Sequence, residues 1–480
     1  MHFTRFCHDR KTHLTLIPTT FLIRKDNEMS VLRTYNQELG SYMPAFFYMK
    51  LSFPYYNTPI MLYNLREKNL STFIHEYIHF LQDISSYSLL NNAYVYSEYM
   101  HAAAKYIYSL PKGEFDIPLE LPYNLGNVDL NKYVNETCMG DFVSENSIFI
   151  KRIEFQKFSV PYENSNVRIL TMPFLNLVGD TKLRFGTCAI MESMAYLIER
   201  TITKGSTQPP DYPYLTAEYV ANFEYPEFSH DILNVIALCD LSLQFVNPGQ
   251  FFVETLRKMK AEKYLPPSPE RLYEYVYNQP CMFLGEKTTL PMALIHMGMM
   301  VQDRLKLYLK DSRFIEFHNT IRDFIGFGIE CRLRNPHFFI EIVRDGYALY
   351  NDSLLKIMNR VGSPLIIDSE YNFTHISAAG KGANTSLQYF LAIEELYKCF
   401  SNGNTLCEMY DFCEATKNNA KEIFGADWQN QEPLLDNNCV DSPWLKVNDV
   451  RLCPYALLWR HWNLSNWKPK EKLSNKKRGK

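Results

Sequence analysis

Between Leu70 and Leu90 the chain carries a pattern that only a deeply covered helix satisfies. Phe73, Tyr77, Leu81 and Ile84 recur at helical spacing, and Ile74, Ile78 and Leu81 form a second apolar stripe beside them. Between the stripes runs a narrow polar line through His75, Glu76 and His79. A helix that is apolar on two sides is buried on both. Burying two imidazoles and a carboxylate is costly unless each finds a partner. The fold must therefore wrap this helix and also supply something for its polar line to hold.

A divalent cation meets that need. Residues four apart on a helix lie one above the other, so His75 and His79 point together and share one ion through two imidazoles. Glu76 sits beside that face, where its carboxylate reaches a water on the metal without being a ligand. Zinc is the cation this donor set suits, and a reactive zinc commonly takes three protein ligands and leaves a fourth position open.

The third ligand is expected from residues 186–200, GlyThrCysAlaIleMetGluSerMetAlaTyrLeuIleGluArg. Ile190, Met194 and Leu197, together with Met191, Ala195 and Ile198, make this helix apolar over most of its surface. Glu192, Tyr196 and Glu199 share the remaining face. A carboxylate emerging from such a helix calls for a cation, and Glu192 is the expected ligand, with Glu199 as its competitor.

HisGluTyrIleHis followed downstream by Gly-x-x-AlaIleMetGlu-x-x-Ala resembles the gluzincin branch of the zincin metallopeptidases, of which thermolysin is the familiar member. The resemblance is confined to segments 70–90 and 186–202. It implies that His75, His79 and Glu192 bind one catalytic Zn²⁺ and that Glu76 is the general base. A zincin-like fold and hydrolysis of peptide bonds in a protein or peptide substrate, as by an endopeptidase, are implied with them.

Three features depart from that pattern. His79 and Glu192 are separated by 112 residues, which requires an insertion between them. Thermolysin-like enzymes place an Asp four residues after the ligand Glu, where this chain has Tyr196; Asp83, Glu199 and Asp240 are then the candidates to orient an imidazole. Gln82 and Ser85 occupy positions where a metzincin needs Gly and His, which excludes that branch. The donor for a tetrahedral oxyanion is expected from His230 or from a tyrosine within 212–225. The alternative reading is a non-catalytic or regulatory zinc-binding protein that keeps a zincin-like fold.

Composition narrows the class further. The formal net charge is −3, so no global field draws the chain to nucleic acid. Eleven cysteines without a Cys-x-x-Cys pair are more consistent with reduced thiols, and hence a cytoplasmic setting, than with a disulfide framework. A second, structural zinc on Cys399, Cys407, Cys413, Cys439 and Cys453 is a minor alternative, given their irregular spacing. The apolar stretch at 14–23 is interrupted by Pro18 and lacks a small-residue cleavage site, and Met29 is a candidate natural start. No window is apolar enough to span a bilayer. Nothing in the sequence sets the oligomeric state.

The expected fold class is α+β and predominantly helical, a zincin-like core with an inserted strand and loop region and a helical C-terminal part. Residues 1–30 read as an extension, 31–265 as the catalytic domain, 266–400 as a helical domain after the Pro266, Pro267 and Pro269 cluster, and 401–480 as an irregular cysteine-containing region with a basic tail. A strand is expected at 43–53. Strands and loops are expected over 110–185, and helices at 186–202 with Thr187 as N-cap, 228–246, 250–262, 290–311, 312–362 and 384–400. His296 reads as a core histidine, Asp240 as a paired or half-exposed carboxylate, and 378–386 as a loop with a helix cap rather than a phosphate cradle.

Overall fold

The computed structural model describes residues 39–55, 61–122, 127–161, 167–381, 386–421, 425–427, 429, 432–449 and 453–472. The N-terminal extension, Met29 and the last eight residues of the basic tail lie outside them, as does most of 382–386. The fold is α+β and predominantly helical, with several small sheets. Among the described residues no helix is long and apolar enough to cross a membrane.

The motif lies on the helix Glu67–Ser85. From Leu70 onward every residue on it is buried, polar line included. It packs against the helix Thr187–Ile202, the helix Ile315–Arg334 and the strand β1, Gly40–Met43. The pattern extended to Leu90 in the sequence, yet the helix stops at Ser86, which is extended, and a second helix runs from Tyr87 to Ser109. The cause is tertiary. Helix Ile315–Arg334 crosses so closely that a Cβ at Gly328 would lie 2.0 Å from the Ile84 carbonyl oxygen. From that helix the Arg332 guanidinium donates to the Ser85 carbonyl oxygen at 3.0 Å.

The strand expected at 43–53 is instead a hairpin of β1 and β2, Tyr48–Leu51. Ala45 and Phe47 hold positive φ in the turn, and the Ala45 N–H donates to the buried Asp83 carboxylate at 2.9 Å. A side chain from the motif helix thus organises the turn that breaks the strand. β2 pairs in parallel with β9, Leu365–Ile367, which pairs antiparallel with β10, Phe373–Thr374, so β1 lies at the edge of a four-stranded sheet.

Segment 110–185 contains the expected strands: β3, Gly113–Ile117, and the antiparallel meander β4, Ile150–Pro161, β5, Val167–Leu177, and β6, Lys182–Arg184. It also holds a helix, Val128–Met139, that the reading of strands and loops did not include. The helix Thr187–Ile202 is capped by Gly186, one residue before the expected Thr187. Gly186 fits because its Cα abuts the preceding chain: a Cβ there would stand 2.4 Å from the Cys138 carbonyl oxygen.

Helices follow at Ile232–Ser242, Pro248–Ala261, Leu290–Tyr308, Ile315–Arg334, Phe338–Arg344, Asp352–Val361 and Gln388–Asn402. One apolar core runs from Tyr42 to Trp467 and passes across the proline cluster at 266–269. Besides a short hairpin of β7, Cys281–Phe283, and β8, Glu286–Thr288, two pairings bring distant segments together: β9 joins β2, and β11, Trp467–Glu471, pairs in parallel with β3. At the centre, Asp240 and Arg332 form a fully buried ion pair, and the Tyr273 hydroxyl donates to the same carboxylate. Asp240 is therefore paired, as one of its two readings had it. His296 lies exposed, against the expectation of a core position, because it falls on the outer face of helix Leu290–Tyr308.

Candidate metal centre

The motif helix presents His75 and His79 toward the helix Thr187–Ile202, and Glu192 answers from the facing side. His75 Nε2 lies 3.1 Å from Glu192 Oε2, His79 Nε2 lies 3.2 Å from the same oxygen, and the two Nε2 atoms are 3.0 Å apart. Donors on a tetrahedral zinc, about 2.0–2.1 Å from the ion, stand roughly 3.3 Å from one another. The three side chains therefore fit one zinc ion with only slight spreading. Among the described residues they are the only histidine, cysteine and carboxylate group whose candidate ligand atoms all lie within 4.8 Å of one another. The C-terminal cysteines do not form such a group; Cys399, Cys407, Cys413, Cys439 and Cys453 are free thiols.

Glu199 occupies a different place. Its Oε2 lies 2.9 Å from His75 Nδ1, on the far side of the ring from Glu192, and its other oxygen accepts from the Ser71 hydroxyl. The Ser71 and Thr203 hydroxyls are 2.8 Å apart and complete this buried support. Glu199 thus holds the Nδ1 side of His75 while Glu192 faces the Nε2 atoms of both imidazoles. Of the three candidates for orienting an imidazole, Asp83 is spent on Tyr42 and Ala45, and Asp240 on Arg332. Glu199 sits seven residues after Glu192, two turns along one helical face.

Charge follows geometry. Burial works against a charge on His75, but hydrogen bonds to Glu192 and Glu199 lift its pKa well above the ordinary value. Burial would raise Glu192, yet the adjacent His79 and His75 hold its carboxyl well below the usual carboxylate range. Both shifts have the sign expected of an imidazole set between two carboxylates.

Glu76 is 1% exposed and lies on the β1 side of the motif helix. A Cβ at Gly40 would come within 3.1 Å of Glu76 Oε1 and 2.7 Å of Thr72 Cγ2, so only glycine lets the edge strand pass this close over the carboxylate. Tyr214 closes the other side. Its ring centroid is 5.8 Å from that of His75, and burial, then Glu192 and Glu76, push its hydroxyl pKa up. The hydroxyl is buried and has no hydrogen-bond partner among the described residues. The backbone around Tyr214 is tethered beside Glu192: Ser193 Oγ donates to the Pro213 carbonyl at 2.8 Å and accepts from Ala217 N–H at 3.0 Å. His230 is exposed, beyond the short helix Pro226–Ser229. Gly40, Ser71 and Thr203 were not expected from the sequence, whereas Tyr214 is one of the tyrosines within 212–225 named there as candidate oxyanion donors. Only Ser71, one turn before His75, left a spacing from which its role was readable.

No protein-family model, no curated protein and no solved structure matches this chain.

Proposed function

We propose that this chain is a zinc-dependent peptidase of the gluzincin type, in which His75, His79 and Glu192 hold the metal and Glu76 is the general base. The observation that carries the reading is the mutual 3.0–3.2 Å spacing of two Nε2 atoms and one carboxylate oxygen, with a second carboxylate one residue from the first ligand. A zinc ion held by His75, His79 and Glu192 would supply Lewis acidity toward a substrate carbonyl and a water. Glu76 would serve as the general base, moving a proton from the attacking water to the leaving amine. The Tyr214 hydroxyl, buried beside His75 without a hydrogen-bond partner among the described residues, is our candidate donor to a developing oxyanion. The edge strand β1, which among the described residues pairs with β2 alone, offers its backbone for strand addition by an extended peptide, with Gly40 directly over Glu76.

One observation favours a second reading, a zinc site that is structural or regulatory: His75, Glu76, His79 and Glu192 are all at most 2% exposed. Turnover requires a path to them. Metal analysis and a peptide-cleavage assay on wild type and Glu76→Gln separate the readings. The peptidase reading expects about one zinc per chain in both forms and cleavage only in wild type. Zinc in both forms with no cleavage of any peptide in a diverse fluorogenic library would leave the second reading standing. Cleavage undiminished in Glu76→Gln would sink the first.

A further inference from the structure

We propose that Gln82 is the positioning residue of His79, fixing the tautomer of its ring and tying that ring to the helix that carries Glu192; the proposal rests on reading His75, His79 and Glu192 as a metal centre. His79 Nδ1 lies 2.8 Å from Gln82 Oε1, and Gln82 Nε2 donates to the Met191 carbonyl oxygen at 3.1 Å. Both side chains have no solvent exposure. Because the Gln82 N–H donates to Met191, it is the carboxamide oxygen that faces His79; that oxygen only accepts, so Nδ1 carries the hydrogen and the Nε2 lone pair is left for a metal. The same carboxamide has N–H groups to spend, and they reach the residue immediately before Glu192. One side chain therefore sets the orientation of one ligand and the distance to the helix bearing another.

Only a carboxamide of this length does both. Glutamate accepts but, when ionised, has nothing to donate to Met191; methionine fills the volume and does neither; asparagine is one methylene short. The two imidazoles are thus supported unequally: a carboxylate, Glu199, on His75 and a neutral amide on His79. Glu76, Glu192 and Glu199 already place three carboxylates around the pair, and a fourth buried negative charge would add repulsion without relief from solvent. Met191 lies inside helix Thr187–Ile202, so its carbonyl accepts the Gln82 N–H in addition to its helical bond.

The test compares zinc affinity, by chelator competition, and the visible spectrum of the cobalt(II)-loaded protein in wild type, Gln82→Met and Gln82→Glu. Gln82→Met is expected to weaken zinc binding by about 10- to 100-fold and to alter the cobalt spectrum, as loss of an orienting partner does. Gln82→Glu restores the acceptor but not the tie to Met191, so its affinity is expected to fall between those of wild type and Gln82→Met. Zinc bound as tightly in Gln82→Met as in wild type, with an unchanged cobalt spectrum, would overturn the proposal while leaving the metal centre intact. A wild-type chain that binds no zinc fails the underlying reading instead. Should Gln82→Met lose its native circular dichroism, Gln82→Asn replaces it: affinity equal to that of Gln82→Glu overturns the proposal, and weaker affinity supports it.

Discussion

Replacing Glu199 with Gln distinguishes a carboxylate that orients a ligand from one that is a ligand. The Glu199 carboxylate lies 2.9 Å from His75 Nδ1, and its second oxygen is satisfied by Ser71. The substitution keeps shape and one acceptor oxygen but removes the charge. Orienting partners of metal-bound imidazoles are worth 10- to 100-fold in affinity, which is about 1.4–2.7 kcal/mol. That range agrees with the roughly 1.5–3 kcal/mol of a hydrogen bond to a charged group.

A second consequence has a definite sign. In the metal-free site His75 is protonated well above its ordinary pKa, so an incoming zinc must displace that proton, and binding weakens as pH falls through the raised value. Glu199→Gln removes one of the carboxylates that raise this pKa, so proton competition in the variant begins at lower pH. The deficit is therefore largest in alkaline solution and narrows as pH falls. Chelator competition with zinc from about pH 6 to about pH 9 reads this directly. Glu192→Ala is the contrast, losing a ligand and most of the zinc at every pH. The reasoning is refuted if Glu199→Gln loses zinc as completely as Glu192→Ala, or if its deficit widens toward acid.

Other outcomes follow from the same geometry. Tyr214→Phe should retain zinc and lower kcat by about 10²- to 10³-fold, the usual effect of deleting one oxyanion donor; an unchanged kcat removes Tyr214 from the site's chemistry. Asp240→Ala leaves the Arg332 guanidinium buried without its carboxylate and should destabilise the fold by about 3–5 kcal/mol in urea titrations, whereas the paired change Asp240→Leu with Arg332→Met should recover much of that loss. Burial pushes the Asp83 carboxyl from 3.8 up to about 7, against the hydrogen bonds from Ala45 and Tyr42 that favour its charge. Because the folded state prefers the proton more than the unfolded state does, stability from this group is present below pH 4 and is lost as pH rises toward 7, by at most about 4 kcal/mol. Asp83→Asn should flatten that slope between about pH 4 and about pH 7, and a variant that keeps the full slope places its origin elsewhere.

Local pattern was enough to show that Glu67–Ser85 is a buried helix and that Thr187–Ile202 is another, since helical periodicity is written along the chain and needs no partner to be read. It was enough as well for His75, Glu76 and His79, whose spacing is set by the helix itself, and it singled out Glu192 and Glu199 as carboxylates on an apolar helix. Which of those two faces the imidazole Nε2 atoms and which stands behind a ring was decided only by how the two helices pack, because a difference of two turns along one face has no local signature. The same holds for Tyr214 and Gly40, brought to the site by a strap and an edge strand remote from the motif in sequence. The break at Ser86 and the turn at Ala45 also lie beyond local reading: each is imposed by a partner, Arg332 or Asp83, that competes for backbone groups the isolated segment would have used itself.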